Sequence, residues 1–368
     1  MVRAILELSG VNKSFILKRT SIFEPHRVLP AVKNVSLSIK PGERFGIIGE
    51  SGCGKSTLAR LMVGLYTPDG GLVRLEGSPL QDMPVSDRNR AIQYVFQDPA
   101  GSLNPRKTIR QILATPLRAL AGLNRQQAEI KLQEIMVAVN MPLSALDRYP
   151  HEFSGGQAQR IGIARALLAG SQILVLDEPV SALDVSVQAQ LLELLVKLKE
   201  KFGLTYVFIS HDLAVIEAFC EKVAVMYYGE IVEIGRADKL FQQALHPYTE
   251  LLARTAPRQD ADLYTEQQFE LPDPLNPPIG CAFAARCPRA EKTCHQKKPK
   301  LSLQKLQLYF VSQFSELNEF VKFIEIIEIF HPQSLQILLF KNDSPYQYNL
   351  PKHFKCLSHM ARPQFLQF

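Results

Sequence analysis

Residues 49–57 have the composition and spacing of a loop that binds nucleotide phosphates. They spell GESGCGKST and directly follow an apolar run. The pattern G-x-x-x-x-G-K-S/T is typical of a loop whose backbone N–H groups surround phosphate oxygens, because glycine lets consecutive amides turn toward one anion. A helical pattern starts at Ser56 and places a positive helix end beside that anion. The predicted phosphate contacts come from Gly49, Glu50, Ser51, Gly52, Cys53, Gly54, Lys55, Ser56 and Thr57.

Polar residues at the ends of two apolar runs could complete a phosphate-transfer site. Asp177 and Glu178 end one run, and His211 follows another. Asp177 suits Mg²⁺, held through water, together with the hydroxyl of Ser56, because a hard cation takes oxygen ligands. Glu178 can act as the base or the orienting group for an attacking water. Lys55 and His211 are expected to compensate charge near the γ-phosphate.

Strand and helix patterns alternate along the chain and must position these residues. The continuous apolar run before Asp177 predicts a central strand of a parallel sheet, buried on both faces. Residues 1–48 read as β-rich, with period-two alternation in part. Between about 109 and 140 the spacing predicts an inserted helical lobe with Leu113, Leu117, Leu120, Ile130, Ile135 and Val139 on its apolar positions. The sequence therefore predicts an α/β fold with a largely parallel sheet.

The composition of the 368 residues is that of a globular protein with a substantial core. Apolar residues make up 46% and charged residues 21% of the chain, which is close to the average for soluble domains. The net charge of +6 is small for this length and favours neither nucleic acid nor a membrane surface. We see no signal peptide pattern and no run of about 18 apolar residues, so we predict a cytosolic chain.

Six motifs in a fixed order resemble the ATPase subunits of ATP-binding cassette (ABC) transporters. They are the phosphate loop, Gln97 at a lobe hinge, the signature SGGQ at 154–157, the strand at 173–178, the D-loop SALD at 181–184 and the switch histidine His211. Longer strings are similar to the oligopeptide, dipeptide and nickel importer group: QDPAGSLNPR (97–106), HEFSGGQAQRIGIARAL (151–167), HPYTELL (246–252) and PLNPPIGCAF (274–283). The likeness covers roughly residues 1–300.

This resemblance implies a domain organisation. The expected fold is a P-loop NTPase-type, largely parallel sheet with an antiparallel β-subdomain, an inserted helical subdomain at about 98–168 and a small C-terminal extension that contains cysteines. We predict an ABC nucleotide-binding domain at 1–255 and the extension at 256–368.

The resemblance also implies a dimer of cassettes, with each ATP between the phosphate loop of one subunit and the signature of the other. A serine and backbone amides at the start of a helix form a second positive concavity, useful for a phosphate that arrives from outside the chain. The predicted contacts on this side are Ser154, Gly155, Gly156, Gln157 and Asp184. The second cassette could be an identical copy or a paralogue.

Further partners follow from the same resemblance. Gln97 is expected to bond the metal or water in one lobe position and release it in another, and so to couple the site to the helical lobe. The lobe is expected to contact transmembrane permease subunits, which places the chain peripherally on the cytoplasmic face of the membrane. A substrate-binding protein would act indirectly, and no nucleic acid is expected as a partner.

The cysteines leave three alternatives open. Cys281, Cys287 and Cys294 have five and six residues between them, unlike the usual C-x₂-C spacing of zinc sites. Similar family members imply a 4Fe–4S cluster here, which needs a fourth thiolate, and Cys356 is the candidate. It lies much farther along the chain than the family pattern suggests. A cluster, a three-ligand site and free cysteines therefore all remain.

Other parts of the sequence also allow two interpretations. Phe15, ahead of the phosphate loop, could stack on adenine or belong to the core of an edge strand. An amphipathic helix is expected from Phe310 to Ile324, either packed on the cassette or facing a partner. For the whole chain, the alternatives to a transporter ATPase are a soluble cassette acting on DNA or ribosomes and a regulatory cassette that binds ATP without cleaving it. Intact Glu178 and His211 argue against the regulatory alternative.

Overall fold

A computed structural model describes residues 3–17, 27–255, 272–273, 275–304 and 307–311, which all lie in one compact unit spanning residues 1–312. The strands in this part are β1 (Leu6–Ile16), β2 (Val28–Ile39), β3 (Arg44–Ile48), β4 (Gly70–Leu75), β5 (Ser78–Pro79), β6 (Ile92–Val95), β7 (Ile173–Asp177), β8 (Thr205–Ser210), β9 (Lys222–Tyr227), β10 (Glu230–Arg236), β11 (Lys300–Gln304) and β12 (Gln307–Val311). The helices are α1 (Lys55–Met62), α2 (Val85–Ala91), α3 (Ile109–Ala119), α4 (Arg125–Ala138), α5 (Gly155–Leu168), α6 (Val185–Phe202), α7 (Leu213–Phe219), α8 (Ala237–Leu240), α9 (Pro247–Thr255) and α10 (Lys292–Gln296), with short 3₁₀ turns at Leu143–Asp147, Pro150–Glu152 and Ala284–Arg286.

The larger sheet carries the predicted parallel core. Strands β9, β3, β8, β7 and β6 are neighbours in that order and run parallel. All residues of β7 are buried. Leu174 and Leu176 join the core on one face of the sheet, and Ile173 and Val175 join the core on the other. The apolar run is continuous because both faces of this strand are covered, which confirms the prediction.

Antiparallel strands extend the sheet beyond β9. Strand β10 follows β9 through the turn at Tyr228 and Gly229 and pairs with it antiparallel. The hairpin of β11 and β12 adds to the other side of β10. Phe310 therefore lies in a strand, so the predicted amphipathic helix is wrong at its first residue. The remaining positions of that prediction lie outside the described residues.

A second sheet, with the order β2-β1-β4-β5, is antiparallel throughout and covers one face of the parallel core. Its buried residues, Leu6, Leu8 and Val35 among them, share a core with Leu58 and Leu61 of α1. The period-two alternation in the sequence reflects this arrangement, because one face of each strand packs on the core. The phosphate loop lies close to both sheets, since Gly54 approaches Ala31 of β2 and Gly49 approaches Met226 of β9.

Helices α3, α4 and α5 form the predicted lobe. Thr108 and Asn124 start α3 and α4 with capping boxes, in which each side chain accepts a backbone N–H three residues on. Leu113 and Leu117 are buried as expected, but Ile130 is 52% exposed. The spacing of five residues from Ile130 to Ile135 explains this error, because it places Ile130 off the buried stripe of α4.

None of the helices in the described ranges has the length and apolar character needed to cross a lipid bilayer.

Candidate nucleotide site

The phosphate loop joins β3 to α1 and depends on its glycines. Gly54 precedes α1 with a φ of 108°, a left-handed conformation that side chains other than glycine rarely adopt. A Cβ on Gly54 would lie 2.3 Å from the carbonyl oxygen of Ala31, and one on Gly49 would lie 2.1 Å from that of Met226. Neighbouring backbone therefore packs directly against the loop, and its curvature requires glycine at both positions. Ser56 and Thr57 lie half-buried in the first turn of α1.

Lys55 is fixed inside the loop. Its side chain is buried, with the residue 5% exposed, and Nζ donates hydrogen bonds to the carbonyl oxygens of Gly49 at 2.7 Å and Glu50 at 2.9 Å. An ammonium group has three N–H donors. Two of them hold the loop's own backbone, which leaves one N–H for a phosphate oxygen. Lys55 thus both shapes the loop and supplies its charge.

Three of the predicted catalytic side chains meet at Glu178. The Nε2 of Gln97 donates to Oε2 of Glu178 at 3.2 Å, and Nδ1 of His211 lies 3.2 Å from Oε1. The side chain of Glu178 is 17% exposed, whereas that of His211 is 57% exposed. Glu178 has a φ of 47° and follows β7 directly. Its carboxylate is therefore held from two sides at the end of the sheet.

Asp177 is buried at the end of β7, and its two carboxylate oxygens differ. The Tyr94 hydroxyl donates to Oδ2, whereas Oδ1 is buried with no hydrogen-bond partner among the described residues. Burial foremost, and then the nearby charge of Asp177, raises the pKa of Tyr94, so this hydroxyl stays protonated as a donor. A buried carboxylate oxygen without a partner is costly. It suits a water of hydrated Mg²⁺, so the donor chemistry at this position fits that cation.

The signature lies at the beginning of α5 and is exposed to solvent. Ser154 is the N-cap residue, and its Oγ accepts the N–H of Gln157 at 3.5 Å, while the N–H of Ser154 donates to the side-chain oxygen of Gln157 at 3.2 Å. Gly155 is also exposed, but Gly156 is buried. A Cβ on Gly156 would lie 2.6 Å from Cγ1 of Val187. The glycine thus allows α5 to pack closely against α6.

Phe15 and Asp184 occupy positions that test neither of their predicted roles. Phe15 is half-buried in β1, and its ring meets the Tyr66 ring edge to face at 5.4 Å between centroids. Asp184 occupies the N-cap position of α6 and is exposed. Stacking of Phe15 on adenine and a nucleotide contact from Asp184 both stay predictions.

Three cysteines of the extension are near one another in the described part of the chain. The N–H of Cys281 donates to the carbonyl oxygen of Cys294 at 2.7 Å. Burial, and to a smaller extent the thiols of Cys294 and Cys287, raises the pKa of Cys281. In the part of the chain that the structure describes, no three His, Cys, Asp or Glu side chains are grouped to hold a metal ion. Cys356 lies outside that part.

Two family profiles match the chain. The ABC transporter profile matches residues 32–181, and the profile of the oligopeptide/dipeptide transporter C-terminal region matches residues 232–294. The chain is 44% identical over 310 residues to the oligopeptide transport ATP-binding protein OppF of Salmonella typhimurium, covering 81% of this chain and 93% of OppF. The chain belongs to the ATP-binding proteins of ABC transporters. This ABC ATPase is also 45% identical over 306 residues to the dipeptide transport ATP-binding protein DppF of Escherichia coli, covering 81% of this chain and 90% of DppF.

Solved structures agree with the predicted fold of this ABC ATPase. A dimeric, post-hydrolysis state of the ATP-binding cassette MJ0796 bound to ADP and Pi matches with a TM-score of 0.56 and 29% identity, covering 63% of this chain and 98% of that one. CbiO1 from Clostridium perfringens, part of the ABC transporter complex cbiONQ, matches with a TM-score of 0.56 and 25% identity, covering 66% and 92%. The predicted family and fold class are confirmed.

Three further side chains contact residues of the site in this ABC ATPase and were not predicted from the sequence. Tyr94 contacts Asp177, while Tyr248 and Arg286 contact Glu50 of the phosphate loop. A signal existed for Tyr94, because it lies on a buried strand three residues before Gln97. Arg286 is 236 residues from Glu50, and no local pattern links two residues so far apart.

Proposed function

We propose that this ABC ATPase energises a membrane importer of oligopeptides or dipeptides. The similarity to OppF and DppF, whose names refer to peptide transport, supports this proposal because it extends over most of the chain. The match to the oligopeptide/dipeptide C-terminal region supports it further. These relatives favour the peptide over the nickel alternative, and a transporter subunit over a soluble cassette that acts on DNA or ribosomes.

The observation that carries the proposed chemistry is the cluster at Glu178. A carboxylate held by Gln97 and His211 is positioned to orient a water and to accept its proton. Phosphoryl transfer needs mainly positioning and charge compensation, which the Lys55 ammonium and the N-terminal end of α1 supply. Mg²⁺, when bound by Asp177 and Ser56, would neutralise phosphate charge. His211 would hold Glu178 and reach the γ-phosphate from the more exposed side.

We further propose that the complete site forms between two cassettes. Ser154, Gly155 and Gln157 are exposed at a helix start, where backbone N–H groups favour an anion. A phosphate from a partner cassette would satisfy them. The nucleotide-binding domain would span 1–255, with its helical subdomain at about 98–168, and the extension would span 256–368. The helical subdomain would contact permease subunits at the cytoplasmic face of the membrane, with cargo delivered by a separate binding protein.

A 4Fe–4S cluster stays a separate prediction that no step of this mechanism uses. The described residues do not support it, because they contain no group of three His, Cys, Asp or Glu side chains that could hold a metal ion. Iron and acid-labile sulfide in the anaerobically purified full chain, compared with a Cys294→Ser variant, would decide. Iron near background in both proteins would exclude the cluster.

Transport assays in proteoliposomes test the proposed function. The full chain is assembled with its permease subunits and binding protein, and ATP hydrolysis and uptake are measured with dipeptides, oligopeptides and Ni²⁺. We expect peptide-stimulated hydrolysis, peptide uptake, and loss of both in Glu178→Gln with ATP binding retained. Exposed Glu193→Gln is the matched control, because Glu193 pairs with Lys197 on the surface of α6. Uptake of Ni²⁺ alone, or full turnover in Glu178→Gln, would contradict the proposal.

A further inference from the structure

The second residue of the phosphate loop is held by two side chains from the C-terminal part of the described chain. The backbone N–H of Glu50 donates to the hydroxyl of Tyr248 at 2.9 Å. The carboxylate of Glu50 accepts two hydrogen bonds from the Arg286 guanidinium, one to each oxygen, both at 2.9 Å. A bidentate Arg–carboxylate contact fixes the orientation of the carboxylate and also compensates its charge. Backbone and side chain of Glu50 are therefore both anchored from outside the loop.

Aromatic packing holds these two side chains in place. Tyr248 is fully buried and Phe283 is 2% exposed, and their ring centroids are 5.6 Å apart. Tyr227 packs against both rings, at 4.5 Å from Tyr248 and 5.4 Å from Phe283. The Arg286 guanidinium lies 5.6 Å from the centroid of the Phe283 ring. Since the guanidinium rests beside buried aromatic rings, little side-chain entropy remains to be lost in the contact with Glu50.

The backbone under Tyr248 and Arg286 is also fixed. Glu233 on β10 is fully buried and accepts the N–H groups of Leu245 and His246, each at 3.0 Å, just before α9 begins. Arg286 ends a 3₁₀ turn in which its N–H donates to the carbonyl oxygen of Phe283 at 3.0 Å. The contacts to Glu50 thus connect the loop to two backbone segments that are fixed to the central sheet and its core.

The charge balance at Glu50 gives this contact a functional consequence. Glu50 places a carboxylate in the loop that receives a triphosphate, and like charges at close range oppose binding. The side chains of Arg286 and Glu50 are 14% and 28% exposed, so solvent screens the pair only partly. Paired with Arg286, the carboxylate presents little net charge to an arriving nucleotide.

We propose that Arg286 and Tyr248 are positioning residues that set the ATP affinity of the phosphate loop. This inference rests on the proposed function of the chain as an ATPase. Arg286 neutralises Glu50 and fixes its side chain, and Tyr248 fixes its backbone. Arg286, between Cys281 and Cys294, and Tyr248 on α9 therefore act on the nucleotide through Glu50.

Nucleotide binding and turnover in the full chain test the proposal. We expect Arg286→Ala to weaken the Kd for ATP and raise KM about 5- to 10-fold, with kcat changed less than about 2-fold, because the charge balance acts on binding. Arg286→Lys should recover part of the affinity, since it restores the charge but not the bidentate geometry. The matched control is Arg289→Ala, three positions along the same segment, where Arg289 pairs with Glu250 at 2.6 Å and is 60% exposed. Its ATP affinity should match that of the wild type.

A second pair of variants separates charge neutralisation from structural support. Replacing Glu50 by Gln in the Arg286→Ala background removes the unpaired carboxylate, so the double variant should bind ATP more tightly than Arg286→Ala alone. A purely structural role for Arg286 would predict no such recovery. Tyr248→Phe keeps the ring and removes the acceptor, and we expect a Kd about 2- to 4-fold weaker with faster amide exchange in residues 49–55.

The outcomes distinguish the proposed ATPase function from the proposed positioning role of Arg286 and Tyr248. Wild-type protein that does not bind ATP overturns the proposed function. Wild-type binding with unchanged Kd and KM in both Arg286→Ala and Tyr248→Phe overturns only the positioning role. If Arg286→Ala does not fold, the comparison of Arg286→Lys and Tyr248→Phe with the wild type decides in the same way.

Discussion

The phosphate loop and the signature both offer backbone N–H groups at a helix start, but they are supported very differently. Around the loop, Lys55 bonds two loop carbonyl groups, and Glu50 is held by Tyr248 and Arg286. The hydrogen bonds that hold the signature, within the described part of the chain, are those of the capping box between Ser154 and Gln157, and both residues are exposed. The phosphate loop is preorganised by contacts within the chain, whereas the signature presents its backbone N–H groups to solvent.

This contrast indicates that a single chain completes the phosphate-loop half of the proposed two-cassette site, but not the signature half. A preorganised loop binds its ligand without further ordering, so its affinity should belong to the isolated chain. In the proposed two-cassette site, the exposed helix start of the signature would receive its phosphate from the second cassette. The two regions should therefore fail differently when mutated: the loop in nucleotide binding, the signature in turnover.

The largest expected effect comes from removing the charge inside the loop. Lys55→Ala deletes the ammonium and leaves the carbonyl oxygens of Gly49 and Glu50 without their donor. Truncation of one partner in a buried charged contact costs about 2–5 kcal/mol, so we expect ATP to bind about 100-fold more weakly to the isolated chain. Equilibrium binding with a fluorescent ATP analogue measures this. Lys131→Ala is the control, since Lys131 is 54% exposed. Near-normal affinity in Lys55→Ala would refute preorganisation by this residue.

Gly155→Asp should impair the signature at the start of α5. A Cβ on Gly155 would lie 3.5 Å from Leu183, an ordinary contact, so the fold should persist. The added carboxylate opposes an incoming phosphate, because like charges brought together cost several kcal/mol. We expect turnover to fall about 30-fold while ATP affinity of the isolated chain stays within about 2-fold. Steady-state hydrolysis and binding are measured side by side. Gly155→Ser serves as the uncharged control, and an equal loss in both variants would exclude the charge explanation.

Tyr94→Phe should have a moderate effect on Mg²⁺ binding at Asp177. Without the hydroxyl, Asp177 loses its one hydrogen-bond donor among the described residues and its carboxylate becomes less fixed. We expect the Mg²⁺ concentration for half-maximal hydrolysis to rise about 5-fold, measured by titration at saturating ATP. Tyr206→Phe is the matched control, since the buried Tyr206 hydroxyl donates to the carbonyl oxygen of Leu195 and does not contact Asp177. An unchanged Mg²⁺ dependence in Tyr94→Phe would separate Tyr94 from metal binding.

The smallest expected effect on nucleotide binding comes from the pH dependence of the structure beneath the loop, which acts on folding stability instead. Burial lowers the pKa of His246 to about 4, from an ordinary 6.5. The folded protein therefore keeps this imidazole neutral where the unfolded chain takes up a proton, so stability is lost as the pH falls from about 6.5 toward 4. The slope is about 1.4 kcal/mol per pH unit for this group.

Denaturant unfolding at a series of pH values measures this loss. Burial raises the pKa of Glu233, which changes stability in the opposite direction, so the difference between wild type and His246→Gln isolates the histidine. The variant should lose less stability on acidification. Parallel curves for the two proteins would show that His246 does not carry the effect.

The sequence predicted features that depend on neighbouring residues, but it did not predict contacts between distant parts of the chain. The apolar run before Asp177 predicted a buried strand because both of its faces are covered, and the loop pattern predicted a turn that only glycines permit. Arg286 and Tyr248 were missed because their contacts to Glu50 join distant parts of the chain. Ile130 was assigned to a buried face because apolar character alone does not fix helix phase, and it is 52% exposed.

The hairpin of β11 and β12 determines where this protein can be shortened. Strand β10 is bonded to β9 on one side and to β12 on the other. A truncation that removes residues 300–311 would leave a row of unsatisfied backbone groups along β10, a template on which other chains can aggregate. Deletions designed to study the remaining tail should therefore begin after residue 311, so that poor solubility is not mistaken for a lost partner.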